Sequence, residues 1–291
     1  MAFAAADGHL DIAKFLVDSG AGVDKKFVND HGIQTALVVA AEKGNAEIVK
    51  YLIEKGAEAD YTIPFKPFHK DRDYVMKEGD PYGSVLTKAL SSFGGKYINY
   101  EVVQALLDAG AKVNDGFFED PFNKYSMFRT PLMLACEHGD VKIVEALLDK
   151  GANMFQVDEV NIPPMYFALN NRDDNHNWSP HLEVIRALVN KDKRVANLRL
   201  GGPYKPKGDY PLEYIVSQIW SKNPVANPSE QYRNLIELFL DSKVSLNPVI
   251  SHLGTIGTYI NNRIISKGLT TKERVEKVLQ DFEDDKEKAE K

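Results

Sequence analysis

The sequence predicts an all-α fold made of stacked pairs of short helices. One phrase recurs five times along the chain, and its clearest copy runs from Thr130 to Asn153. The apolar residues of that copy recur at the spacing of one helix face. A unit of one or two short helices cannot bury its own apolar face, so each copy must pack on its neighbours. A glycine closes the four clearest copies, at Gly20, Gly56, Gly110 and Gly151.

The clearest copy shows why each part of the phrase is needed. Thr130 followed by Pro131 is typical of a helix start, because Pro lacks only an N–H that has no partner in the first turn. Gly139 ends this first helix. A second helix follows, and Gly151 suits the left-handed residue that closes it. Its apolar stripe is Ile143, Val144, Leu147 and Leu148.

The TPL opening, the pair of small residues, the glycine, the IVEALL run and the GAN ending resemble the ankyrin repeat. The resemblance implies an ankyrin-repeat solenoid of about six to seven helix pairs with extended finger loops. We expect a single stack over residues 1–291, with a partial first repeat and a degenerate C-terminal cap. The predicted units are 1–24, 30–60, 83–114, 129–154, 162–192, 209–247 and 252–291.

Five antiparallel helix pairs follow from this alignment, and strands are expected only as short hairpins in the fingers. The fingers are assigned to the insertions at 60–83, 114–129 and 193–209. The predicted pairs are 35–43 with 46–54, 84–92 with 101–108, 131–138 with 141–149, 164–170 with 181–190, and 211–220 with 231–241.

The start of the chain departs from the pattern. Ala4 and Ala5 align with the small pair of the phrase, which places Met1 inside the first predicted helix. The Thr-Pro opening is absent there. We expect the chain to be a fragment cut from a longer protein, and the alternative is that the first repeat is a half-unit.

Two of the fingers are rich in aromatic residues, whereas loops that only connect helices are usually polar. We expect about half of these rings to pack together and the remainder to form a partner-binding surface. The candidates are Tyr61, Phe65, Phe68, Tyr74 and Tyr82 in the first of these fingers, and Phe117, Phe118, Phe122, Tyr125 and Phe128 in the second.

The third finger is basic in an otherwise acidic protein. Between residues 191 and 207 six basic side chains accompany one acid, Asp192. A solvated loop is one interpretation, and a site for an acidic peptide, phosphate or anionic headgroup is the other. The candidate contacts are Lys193, Arg194, Tyr204, Lys205 and Lys207.

Nothing in the sequence indicates catalysis, a metal site or a cofactor. The standard nucleotide, hydrolase and zinc motifs are missing. Cys136 and His138 lie two residues apart on a predicted helix, so their side chains diverge. The net charge of −6 disfavours general nucleic-acid binding. No apolar stretch is long enough to span a bilayer, and we expect a cytoplasmic protein.

The resemblance implies a non-catalytic scaffold that binds another protein through its fingers and concave inner helices. Insertions in nearly every unit resemble the irregular ankyrin proteins of intracellular bacteria, viruses or protists. These include secreted effectors, which would place this chain in the host cytoplasm. The alternative is a substrate-recruiting part of a larger enzyme whose catalytic domain lies outside this chain.

Overall fold

A computed structural model describes most of the repeat region, and the chain divides into two compact units, Met1–Asn153 and Met154–Lys291. The described residues are 1–29, 32–65, 79, 81–91, 98–118, 128–172, 178–201, 210–212, 214–215, 218 and 230–242. The predicted cap at 252–291 lies outside them.

The described residues of the first unit form four helix pairs, and the three predicted for this region are confirmed to within two residues. Helices α1, α3, α5 and α7 pack in one layer, and α2, α4, α6 and α8 pack in a second layer behind it. The pairs are α1 Ala2–Asp7 with α2 Leu10–Asp18, α3 Ala36–Glu42 with α4 Ala46–Glu54, α5 Val85–Leu90 with α6 Tyr100–Asp108, and α7 Pro131–His138 with α8 Val141–Asp149.

Three two-stranded antiparallel hairpins join these pairs. Two of them lie at the bases of the fingers predicted at 60–83 and 114–129, which confirms the expected hairpins. The hairpin that joins α2 to α3 is the first along the chain, and it was not predicted because that connection carries no insertion. The strands are β1 Phe27–Asn29 with β2 Gly32–Gln34, β3 Thr62–Pro64 with β4 Pro81–Ser84, and β5 Phe117–Phe118 with β6 Phe128–Arg129.

Hydroxyl residues start the first-layer helices at the ends of these hairpins. Thr35, Ser84 and Thr130 all have extended backbone and lie immediately before α3, α5 and α7. Each side-chain oxygen accepts a hydrogen bond from the backbone N–H three residues later, at 3.2–3.4 Å. Such a cap stabilises a helix by about 1 kcal/mol. The strand therefore ends and the helix begins at a fixed residue in each repeat.

Asparagines at the starts of the second-layer helices bind carbonyls of the preceding repeat. The Asn45 side-chain amide donates to the backbone oxygens of Ala5 and Ala6, at 2.7 and 3.1 Å. The Asn99 amide donates to the oxygen of Gly44 at 2.9 Å. Carbonyls at helix ends have no partner within their own helix. These two asparagines therefore tie the second helix pair to the first and the third helix pair to the second.

The core of the first unit lies between the two helix layers. Leu52, Leu106 and Leu147 are fully buried at equivalent places in α4, α6 and α8. The first helix pair differs from the next one. Phe15 of α2 is 70% exposed, whereas Tyr51 at the same place in α4 is 8% exposed. A neighbouring repeat is therefore what buries this face.

The second unit continues the helical pattern. Helices α9 Pro164–Leu169 and α10 Leu182–Lys191 confirm the pair predicted at 164–170 and 181–190. Helix α11 spans Glu230–Asp241 and confirms the second half of the last predicted pair. The first helix of that predicted pair, at 211–220, is partly described, and its residues 211, 212, 214, 215 and 218 are helical. No helix in the described part of the chain is both long and apolar enough to cross a membrane.

Replacing Leu147 with Ala should destabilise the protein by about 2–5 kcal/mol, because it removes buried methyl groups and leaves a cavity. Denaturant unfolding measures the loss, and Glu145→Ala, at an exposed position of the same helix, is the control. Since contacts in a stack are between neighbours, hydrogen exchange should accelerate mainly in α5–α8. Equal acceleration along the whole chain would contradict this prediction.

Replacing Asn99 with Ala should cost about 1–3 kcal/mol, because it removes the bond to Gly44 and the bond that its Oδ1 accepts from the N–H of Glu101. Asn99→Asp keeps the acceptor and loses the donor, so it separates the two contributions. In denaturant unfolding, we expect Asn99→Asp to be less stable than the wild type but more stable than Asn99→Ala. An aspartate variant as stable as the wild type would show that the bond between repeats contributes nothing.

Candidate functional site

The three hairpins of the first unit form a continuous row beside the first helix layer. Strand β2 packs against β3, and β4 packs against β5. The Tyr61 hydroxyl donates a hydrogen bond to the backbone oxygen of Ile33 at 2.9 Å, which ties the second hairpin to the first. The fingers predicted at 60–83 and 114–129 therefore start from hairpins that are adjacent in the fold.

Four of the aromatic residues predicted to contact a partner are buried in this row. Tyr61, Phe65, Tyr82 and Phe117 are each at most 7% exposed. The rings of Phe65 and Tyr82 pack with their centroids 6.0 Å apart and their planes at 57°. Their assignment to a partner-contact surface is therefore corrected: these rings are buried in the hairpin row, where contacts within and between the hairpins shield them from water.

The other aromatic candidates divide into two groups. Phe128 is half-buried and pairs with Phe118 across the third hairpin. Its ring covers Gly116, where a side chain would collide with it. The remaining candidates lie outside the described residues; they are Phe68, Tyr74, Phe122 and Tyr125.

The basic segment begins with a 3-10 helix, Lys193–Asn197, where we had placed a finger. Val195 and Ala196 of this turn are buried, which explains why the chain stays close to the fold here. Lys193 and Arg194 are exposed as expected, and Tyr204, Lys205 and Lys207 lie outside the described residues.

The charge of Arg194 is already paired. Its Nε and terminal nitrogen donate to Asp192 Oδ2 at 2.9 and 2.6 Å. Hydrogen bonding to Arg194 lowers the pKa of Asp192 below its usual range. The guanidinium also lies over the Phe155 ring, 5.0 Å from its centroid. Arg194 is therefore a weaker candidate for binding an external anion than the sequence indicated.

Lys88 of α5 is a charged residue in an apolar place, and sequence reasoning missed it. It follows the cap Ser84 by four residues, as Val39 follows Thr35 and Leu134 follows Thr130. The three residues are all buried, and Lys88 is only 3% exposed. Comparing the repeats position by position, instead of searching for clusters, would have singled it out.

Among the residues that the structure describes, aromatic faces surround the ammonium group of Lys88 and none is seen to accept a hydrogen bond from it. Its Nζ lies 4.3 Å from the ring centroid of Tyr82 and 5.6 Å from that of Phe117. Burial lowers the pKa of Lys88 to about 8, against the opposing influence of Glu42 on α3. Glu42 itself lies 3.8 Å from the Nζ of Lys43. Lys88 thus carries a charge that the surrounding fold satisfies incompletely.

Cys136 and His138 of α7 do not form a nucleophile–base pair. Burial raises the pKa of the Cys136 thiol far above its usual range, whereas His138 is exposed. A buried thiol in apolar surroundings is unreactive. Within the described ranges, no three His, Cys, Asp or Glu side chains are arranged to hold a metal ion.

Comparison with known proteins agrees with the repeat geometry. Residues 1–117 and 96–198 match the family described as ankyrin repeats (3 copies). The chain is also similar to the ankyrin repeat protein nuc-2 of Neurospora crassa, with 34% identity over 82 residues. That match covers 26% of this chain and 7% of the relative, so the chain spans only a small part of the relative's length. With the family matched over more than half of its length, the chain belongs to the ankyrin-repeat family.

Proposed function

We propose that this chain is a non-catalytic scaffold that binds another protein at the face formed by the hairpin row and the helices α3, α5 and α7. Ankyrin repeats generally mediate protein–protein interaction. The proposal assigns that role to one face of the first unit. The buried thiol of Cys136 supports a role without catalysis.

The position of the two aromatic-rich connections is the observation that carries this proposal. The connection after β3 and the connection after β5 leave from hairpins that pack against each other. Phe68 and Tyr74 lie in the first connection, and Phe122 and Tyr125 lie in the second. Large aromatic residues are enriched among the side chains that dominate binding energies. The two connections that contain these four residues therefore start from one edge of the described fold.

We further propose that the protein acts in the cytoplasm, which is the host cytoplasm if it is a secreted effector. The single cysteine supports a reducing compartment, because the chain cannot form an internal disulfide. Insertions between most repeats support the effector role. The net charge of −6 supports a protein partner over nucleic acid.

Replacing Tyr74 and Phe122 with Ala should weaken partner binding by about 1–4 kcal/mol each if they are hot spots, with unchanged helicity. The partner would first be captured with the whole chain as bait and purified, and its affinity measured by calorimetry. Phe65→Ala is the matched control, since it removes a buried ring and should lower stability instead. Full affinity in both variants, with a footprint confined to α4 and α8, would contradict the proposed face.

Replacing Lys193, Lys205 and Lys207 together with Ala should slow association with an acidic partner mainly at low salt. Exposed charges steer encounter, and their effect is screened within about 10 Å at 0.1 M salt. Arg194→Gln is the control, because Asp192 already engages its guanidinium. Association rates measured at two salt concentrations decide the matter, and equal effects at both would rule out steering.

A further inference from the structure

Lys88 occupies a place where the fold needs only apolar volume. Val39 and Leu134 fill the same place in the neighbouring repeats, and both are buried. A methionine would fill almost the same space as the lysine without carrying a charge. The ammonium group is therefore not required for the packing of α5, and its presence calls for another explanation.

Keeping this charge buried costs folding free energy. An ammonium group offers three hydrogen-bond donors, and none of the described residues is seen to accept a hydrogen bond from Nζ of Lys88, whose neighbours are the Tyr82 and Phe117 rings. The faces of Tyr82 and Phe117 attract the cation, but they supply no lone pair. Burial without a partner favours the uncharged form. Within the described residues, no anionic oxygen pairs with this ammonium group.

The surroundings of Lys88 indicate where that oxygen would come from. Glu42, the acid that acts on Lys88, does not reach it as an ion pair and lies beside Lys43. Tyr82 lies on β4 and Phe117 on β5, so the lysine is enclosed by the two hairpins from which the aromatic connections leave. The neighbouring Gly83 contributes no side chain, and a Cβ there would lie 3.6 Å from Cε of Lys88.

We propose that Lys88 is the anchor for an acidic side chain, Asp or Glu, in a peptide segment of the partner protein. This inference rests on the proposed function and adds the chemistry that the segment must carry. The segment lies across α3 and α5 beside the second and third hairpins, and its carboxylate supplies the missing acceptor. The flexible four-carbon stem lets the ammonium turn toward an approaching carboxylate.

Stability measurements on Lys88→Met distinguish this anchor from a structural lysine. At pH 7 the variant should be at least as stable as the wild type, because it removes a buried charge without removing volume. Above the folded-state pKa of about 8 the wild-type lysine sheds its proton, while the unfolded chain keeps its own to about pH 10.4. The free energy of unfolding of the wild type therefore rises between these two pH values. The stability difference between Lys88→Met and the wild type should become smaller over the same interval. A variant much less stable than the wild type at pH 7 would overturn the proposal.

The decisive experiment selects from a displayed library of random twelve-residue peptides with the wild type, with Lys88→Met and with Lys142→Met. Lys142→Met removes the same charge from an exposed position of α8 and is the matched control. We expect the wild type and Lys142→Met to enrich peptides that share an Asp or Glu at one fixed position. Lys88→Met should bind these peptides at least tenfold more weakly.

The affinity of the selected peptides should also fall as the pH rises above neutrality. The wild type should bind them less well as the pH rises through about 8, since the ammonium loses its proton. The charged group acting on Lys88 is Glu42 of α3, whereas β4 and β5 present the ring faces of Tyr82 and Phe117. Lys88→Met should show no such decline. Equal enrichment of acidic peptides by Lys88→Met overturns this inference alone, and the absence of enrichment by every protein counts against the binding face itself.

Discussion

Burial of each helix pair against its neighbour is the interaction on which the first unit depends. No pair encloses its own leucines, so Leu52, Leu106 and Leu147 are sealed only by the stack. The contrast between the exposed Phe15 and the buried Tyr51 shows the same rule at the end of the series. Because the helix layers carry the stability, the hairpins between them are able to vary in length. The helix layers therefore support hairpins that carry long, aromatic-rich connections.

The sequence predicted the helices well because their signals are local. The cap Thr130, the closing Gly139 and the stripe around Leu147 fix α7 and α8 to the residue. The hairpin β1–β2 escaped prediction because it needs no insertion. The basic segment was assigned to a finger from its charge, yet Val195 and Ala196 fold it back as a 3-10 helix.

The candidate site was predicted less well, and the reason is geometric. Composition counts aromatic residues, but it does not say on which side of a hairpin each ring lies. Tyr61 and Tyr82 are both turned into the fold. Tyr61 donates to the backbone carbonyl of Ile33, and Tyr82 contacts the Phe65 ring and the Lys88 ammonium group. Lys88 was missed for the opposite reason, because a lysine on a helix is ordinary until its place in the repeat is compared with Val39 and Leu134. Pairing of Arg194 with Asp192 was likewise invisible in a count of charges.

The asparagines that start α4 and α6 also define where this stack is divisible. Asn45 and Asn99 both donate hydrogen bonds to backbone carbonyls of the preceding repeat. Excising the chain between these two positions would leave one asparagine at the join, following α1 as Asn45 does now, with the intervening repeat gone. The asparagine at the join would again face backbone carbonyls of the preceding repeat. A repeat is therefore exchangeable as a block when its boundaries follow the asparagines. Gene duplication or deletion in this frame would lengthen or shorten the hairpin row and the helix layers while keeping an asparagine at each new junction.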